Sequence, residues 1–218
     1  MARGRPRGAD GTRKAIVEAA MRGFAEKGFA ATGTREIAAL AGTNVASIAY
    51  HFGGKEGLRT ACAERVVELM GETLEEARQG ELPQDRAAAR LLLTGIVRRF
   101  VGFLLLDPQA RPVAGFLLRE MAEPSPALDL IYGRLFEAVH RRACAIWGVA
   151  TGREPEGAAV RLAVFATIGQ IVYFNFARPV IERRMGWPDV GAAEAEAVAD
   201  TIVRNLHARL DADGRDRP

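Results

Sequence analysis

The chain has 218 residues, 49% of them apolar, enough for one large domain or for a small domain joined to a larger one with its own core. Its formal charge of +3 is unevenly spread: residues 1–60 carry +5 and the remainder −2, so the positive surface that a polyanion requires lies at one end. Cys62 and Cys144 stand far apart without CxxC spacing, which points to a reducing compartment and away from a structural metal.

Several further classes recede on the same grounds. The opening residues lack the apolar run of a secretion signal. The apolar clusters Phe100 to Leu106 and Leu162 to Phe176 are too short for a membrane span or are interrupted by Arg161 and Gln170, so a cytoplasmic protein without a membrane partner is expected. Only three of the thirty basic residues are Lys, and a compositional bias toward Arg would explain the high pI, though not its asymmetry.

In chain order, residues 1–11 read as a basic arm with Arg3, Arg5 and Arg7, either a plain tail or a segment that lies along phosphates or enters a minor groove. Residues 12–29 form a helical pattern with Ile16, Ala20 and Phe24 on one stripe, stopped by Gly28. Thr34 is expected to cap a second helix carrying Ile37, Ala38 and Ala41, although its hydroxyl is equally suited to a phosphate. The turn Gly42-Thr43-Asn44 follows, then a short helix with Val45, Ile48 and Phe52 inward and Asn44 as its cap. Two short helices joined by a glycine-containing turn match a helix-turn-helix, and the exposed side of the second would present Asn44, Ala46, Ser47 and His51.

Beyond Gly53-Gly54, a long pattern over 55–79 carries Leu58, Cys62, Val66, Leu69 and Thr73 inward. Lys55 at its start opposes the helix dipole unless a phosphate is also present there. Five further helical patterns follow at about 84–106, 109–122, 126–149, 156–177 and 192–211, with a short helical turn inside 178–190. In the first of these Ala88, Leu91, Leu92 and Ile96 read as core, and Arg90, Arg98 and Arg99 as solvent-facing. No β alternation is seen, so the fold class expected is all-α: a three-helix DNA-binding domain at 10–58, then a larger helical domain at 59–212 for effector binding and dimerisation, nine to ten helices in all.

No convergent set of titratable groups suggests catalysis, because His140 and His207 are isolated and His51 belongs to the short helix, so neither an enzyme nor a metal or other cofactor is expected. The aromatic supply of the larger part would line an apolar cavity, although core packing would also account for each ring. Its candidate ligand set is Phe100, Phe103, Phe116, Tyr132, Phe136, Tyr173 and Phe174, with Arg119, Glu120 and His140 as polar groups. Arg119 and Glu120 are either an anchor for a polar ligand group or an intrachain ion pair. The last two long patterns have stripes long enough to meet a second copy, with Val164, Ile168, Ile171, Ile202 and Leu206 at the expected seam.

The segment Arg13 to Leu58 resembles the TetR-type bacterial transcriptional regulators, through Ile16 to Phe24, Gly28-Phe29, Thr34, Ile37-Ala38, Ala41-Gly42, Asn44-Val45, Ile48, Tyr50-His51-Phe52 and Lys55-Glu56-Gly57-Leu58. Asn44 to Ile48, Tyr50 to Leu58 and the later Leu118 to Ser125 are similar to the CecR-type subgroup. The resemblance implies a homodimeric regulator, expected to be a repressor of a palindromic double-stranded DNA operator, released by a small apolar or amphipathic effector. It implies that Thr34, Thr43, Asn44, Ala46 and Ser47 face DNA while Tyr50, His51 and Lys55 hold its backbone. Two positions depart from the family pattern: Ala49 removes a possible contact, and Gly54 stands where Ser would cap the following helix better. The rival reading is a dimeric small-molecule-binding protein in which DNA binding is secondary.

Overall fold

The computed structural model describes residues 9–215. All regular structure among them is helical: α1 (Ala9–Lys27), α2 (Thr34–Ala41), α3 (Val45–Phe52), α4 (Lys55–Thr73), α5 (Arg86–Leu106), α6 (Ala110–Ala122), α7 (Pro126–Ile131), α8 (Glu137–Thr151), α9 (Ala158–Phe176), α10 (Arg178–Met185) and α11 (Ala192–Arg215). A 3-10 turn at Glu75–Ala77 follows α4, and a π-helical turn at Tyr132–Phe136 leads from α7 straight into α8. Counted as one interrupted helix, α7 and α8 bring the total among the described residues to ten, within the nine to ten expected.

The helix ends follow local chemistry. Gly28 stops α1 at φ 83°, and Gly42 and Gly53 close α2 and α3 at 67° and 70°, left-handed values that a side chain disfavours. Asp85 caps α5 by accepting from the Ala88 amide at 2.8 Å, and Ser125 caps α7. Thr34 is not a cap: Gly33, extended at ψ 145°, holds that position, and Thr34 is the first helical residue. Gly54 has φ 132°, so the residue that would cap less well than Ser is one the backbone itself favours here.

The described chain divides into two compact units, and the division falls differently from a boundary at 58/59. Of the described residues, the first joins those up to 69 with 112–132; the second joins 70–111 with 133–215. In the first unit α1, α2 and α3 enclose Ile16, Phe24, Ile37 and Ile48, all essentially buried, and most of α4 adds Leu58, Cys62 and Val66. α6 from Pro112 onward belongs to the same unit. Phe116 is fully buried and lies 6.3 Å from the Phe24 ring, and Gly115 lets α6 approach so closely that an added Cβ would stand 2.9 Å from that of Ala25.

The second unit is a bundle in which α5 packs on α8, α9 and α11. Trp147 is buried and its indole N–H donates to Asp213 at 3.1 Å, tying α8 to the end of α11. In α5 the expected stripe is one residue out of phase over the first half: Ala89, Leu93 and Val97 are buried, while Leu91 is 73% exposed. Arg90 and Arg98 face α11 rather than open solvent, Arg90 pairing with Asp211 at 2.7 Å and Arg98 with Glu196 and Asp200. An apolar helix with residues of one kind on every side carries no phase in its sequence, and the partner helix chooses the face. α9 has the length of a membrane span and a mean hydropathy of 1.4, but its buried face packs on α5, α8 and α11 as a bundle helix does.

Candidate nucleic-acid interface

The first unit carries a helix-turn-helix at α2 and α3. Only Ile48 of α3 is buried, so almost the whole helix is surface, and its leading turn is held rigid by its own polar groups. Asn44 accepts the Ser47 amide at 2.9 Å and the Ser47 hydroxyl at 3.1 Å, and the Thr43 and Ser47 hydroxyls lie 2.9 Å apart. Asn44, Ala46 and Tyr50 are exposed, with Tyr50 at 85%, while Thr43, Ser47 and His51 are half-buried. The Tyr50 ring meets His51 edge-on at 5.0 Å. Thr34 stands half-buried at the start of α2. Small groups at the start of α3, fixed in their rotamers, suit close approach to base edges, and the aromatic and basic groups behind them suit the sugar-phosphate backbone. Arg3, Arg5 and Arg7 lie outside the described residues.

Lys55, the first residue of α4, donates to the Ala30 carbonyl at 3.3 Å and lies 4.5 Å from the centre of the Phe29 ring. Arg59, one turn on, lies 4.4 Å from the same ring and donates from Nε to both carboxylate oxygens of Glu120, at 2.9 and 3.1 Å. The Arg59 and Phe29 contacts go unforeseen in the sequence reading. The signal available was the four-residue spacing of Lys55 and Arg59, which puts two cations on one face of a helix.

The candidate ligand set divides between the two units. Phe116, Arg119, Glu120 and Tyr132 fall in the first unit; Phe100, Phe103, Phe136, His140, Tyr173 and Phe174 fall in the second. Phe116 is core beside Phe24, Arg119 donates to the Glu26 carbonyl at 3.0 Å, and Glu120 is held by Arg59. Of the two readings of the Arg119-Glu120 pair, the structure shows intrachain ties, though each goes to a different partner. Phe100 and Phe103 are buried, Tyr132 and Tyr173 are more than half exposed, and His140 stacks on Phe165 at 4.0 Å. The second unit does carry an open groove of about 510 Å³, lined by Thr73, Arg99, Gly102, Phe103, Leu106, Asp107 and Pro108.

The expected seam residues are likewise spoken for. Val164, Ile171, Ile202 and Leu206 are at most 4% exposed inside the second unit, and Ile168 is half-buried, so these side chains serve their own bundle. The outward stripe of α9 is instead Leu162, Phe165, Tyr173 and Phe176, each more than half exposed, with Ala166 and Gly169 between them. Both thiols are free and buried. Burial, assisted by the Glu120 charge, holds the Cys62 thiol far above its usual range, and burial with Glu156 nearby pushes Cys144 up to about 11.

Comparison with known proteins agrees with this geometry. Residues 16–62 match the family profile described as bacterial regulatory proteins of the tetR family, and residues 89–212 match that of the C-terminal domain of the HTH-type transcriptional dual regulator CecR. The chain is 34% identical over 200 residues to the dual regulator CecR of Shigella flexneri, covering 89% of each. It is 28% identical to the regulatory protein RaaS of Mycobacterium tuberculosis, over 73% of this chain and 70% of that one. Among solved structures it shares its fold with AibR in complex with isovaleryl coenzyme A and operator DNA, at TM-score 0.65, 18% identity and coverage of 88% and 96%. A TetR-like regulator from Rhodococcus sp. RHA1 matches at TM-score 0.67 and 18% identity, over 94% and 99% of the two chains. With a helix-turn-helix in one unit, a helical bundle in the other and a relative this similar along nearly its whole length, the chain belongs to the TetR family of transcriptional regulators.

Proposed function

We propose that the protein is a cytoplasmic repressor of the CecR-type subgroup that reads a palindromic operator as a homodimer and is released by a small amphipathic effector. The observation that carries the reading is α3: an exposed helix whose leading polar groups bind one another, set in the part of the chain with the excess positive charge. One such helix meets few base pairs, so a twofold pair of readers supplies the affinity that a single one lacks. The seam for that pair is the α9 stripe of Leu162, Phe165, Tyr173 and Phe176, spaced by three, eight and three residues and so on one helical face, with Ala166 and Gly169 in the gap allowing close approach.

The groove beside Phe103 and Leu106 has apolar walls with Arg99 and Asp107 among its lining residues, which suits an amphipathic molecule. The test is selection of genomic DNA fragments by the purified protein, followed by titration of the recovered fragment at several salt concentrations. A palindromic site, bound more tightly than unrelated DNA and with log K falling linearly with log salt, is the expected result. Equal affinity for all fragments would sink the reading.

A further inference from the structure

Glu120 is buried to 1% exposure, which costs a carboxylate much of its hydration. It keeps its charge company with Arg59, whose Nε donates to both oxygens, and with Ser125, whose hydroxyl donates to Oε2. A buried ion pair is a poor way to stabilise a core, since apolar residues of similar volume do as well or better, and the best-attested use of such a pair is to set a register or a switch. Here Arg59 shares the Phe29 ring with Lys55: guanidinium and ammonium stand 4.4 and 4.5 Å from its centre. Two cations on one ring repel each other unless one is neutralised, and Glu120 neutralises Arg59. Glu120 lies on α6, far along the chain from the DNA-reading segment.

We propose that Glu120 is a positioning residue of the operator grip: by holding Arg59 on the Phe29 ring, it keeps Lys55 at the start of α4 where the ammonium meets a DNA phosphate. The inference rests on the DNA-reading function proposed above. It assigns to α6 a definite means of acting on the reader. Withdrawal of the carboxylate leaves Arg59 an uncompensated cation beside Lys55, and the repulsion displaces Lys55 from its phosphate. Phe116 on Phe24 and Arg119 on the Glu26 carbonyl hold α6 in register while the carboxylate does this.

A double-mutant cycle on the fragment recovered by genomic selection tests it, with Lys55→Ala, Glu120→Gln and the double variant. Lys55→Ala should weaken binding by roughly tenfold near 0.1 M salt and reduce the salt slope by about 1, as loss of one phosphate contact does. Glu120→Gln should lower both affinity and slope in the same direction, and the double variant should bind no worse than Lys55→Ala alone. Additive losses, or a Glu120→Gln slope equal to that of the unaltered protein, would overturn the proposal, because a merely structural carboxylate moves affinity without removing a phosphate contact. Should Glu120→Gln fail to fold, Ser125→Ala removes one partner of the carboxylate and should move affinity and slope the same way by less; no change in slope there is equally fatal. If the unaltered protein binds no fragment preferentially, the DNA-reading function itself fails. If it binds and the cycle is additive, only the role of Glu120 does.

Discussion

α3 and α9 are both helices that the protein leaves largely uncovered, and they differ in what they show. α3 buries Ile48 alone and, with its cap Asn44, presents Ala46 and Tyr50, small or hydrogen-bonding groups in the positively charged part of the chain, beside Val45, which is exposed rather than inward as expected. α9 buries Val160, Ala163, Val164 and Ile171 and presents Leu162, Phe165, Tyr173 and Phe176. Exposure by itself says only that a partner is possible. The chemistry of the exposed side says which: a polar face among cations suits a polyanion, whereas an apolar stripe suits another apolar surface, and a second copy offers an identical one.

The sharpest way to break this contrast is to put a charge on the apolar stripe. Phe165→Glu should weaken self-association by about 3–5 kcal/mol, the scale of an unpaired charge forced into an interface, and sedimentation should then find monomers where the unaltered protein is dimeric. An unchanged dimer would move the seam away from α9. On the polar helix the corresponding change is smaller. Asn44→Ala removes the cap and the bond that holds Ser47, and should cost about 1 kcal/mol in urea denaturation. It should also weaken operator binding, since the leading turn is no longer held for the bases; loss of stability with operator binding intact would separate the cap from the reading role.

The smallest expected effect lies in the second unit, where the His207 ring bonds Thr94 at 2.9 Å. Partial burial and then the Arg90 guanidinium hold its proton affinity below the usual 6.5. As pH falls through about 6.5 the unfolded chain therefore takes up this proton before the folded one, and stability drops; above about pH 7 both states are neutral and the contribution vanishes. Melting at pH 7.5 and 5.5 should show a larger drop for the unaltered protein than for His207→Gln. An equal drop in both would assign the acid sensitivity to other groups.

Much of this was legible in the sequence because it is local. Glycines with left-handed backbone ended α1, α2 and α3 where the spacing predicts, and Asn44 caps α3 through its side chain. Less was legible wherever a helix is apolar on more than one side. Leu91 of α5 and Ile202 of α11 both carry the pattern of core residues, yet Leu91 is exposed and Ile202 is 1% exposed within its own bundle. Periodicity counts apolar positions without saying which neighbour takes them, which is why it predicts a seam on residues that the bundle buries and a ligand set that includes Phe116 and Glu120 of the first unit.

The glycine-closed ends of α1, α2 and α3, the helix-turn-helix and the concentration of positive charge in its part of the chain follow from the order of residues alone, since capping, glycine backbone freedom and net charge need only near neighbours or a sum along the chain. Tertiary structure alone decided that α6 joins the reader through Phe116, Arg119 and Glu120, that Arg90 and Arg98 pair with α11, and that α9 turns Phe165 outward. Each of those outcomes depends on a partner distant along the chain, and packing between distant segments selects among faces that their sequences leave equivalent.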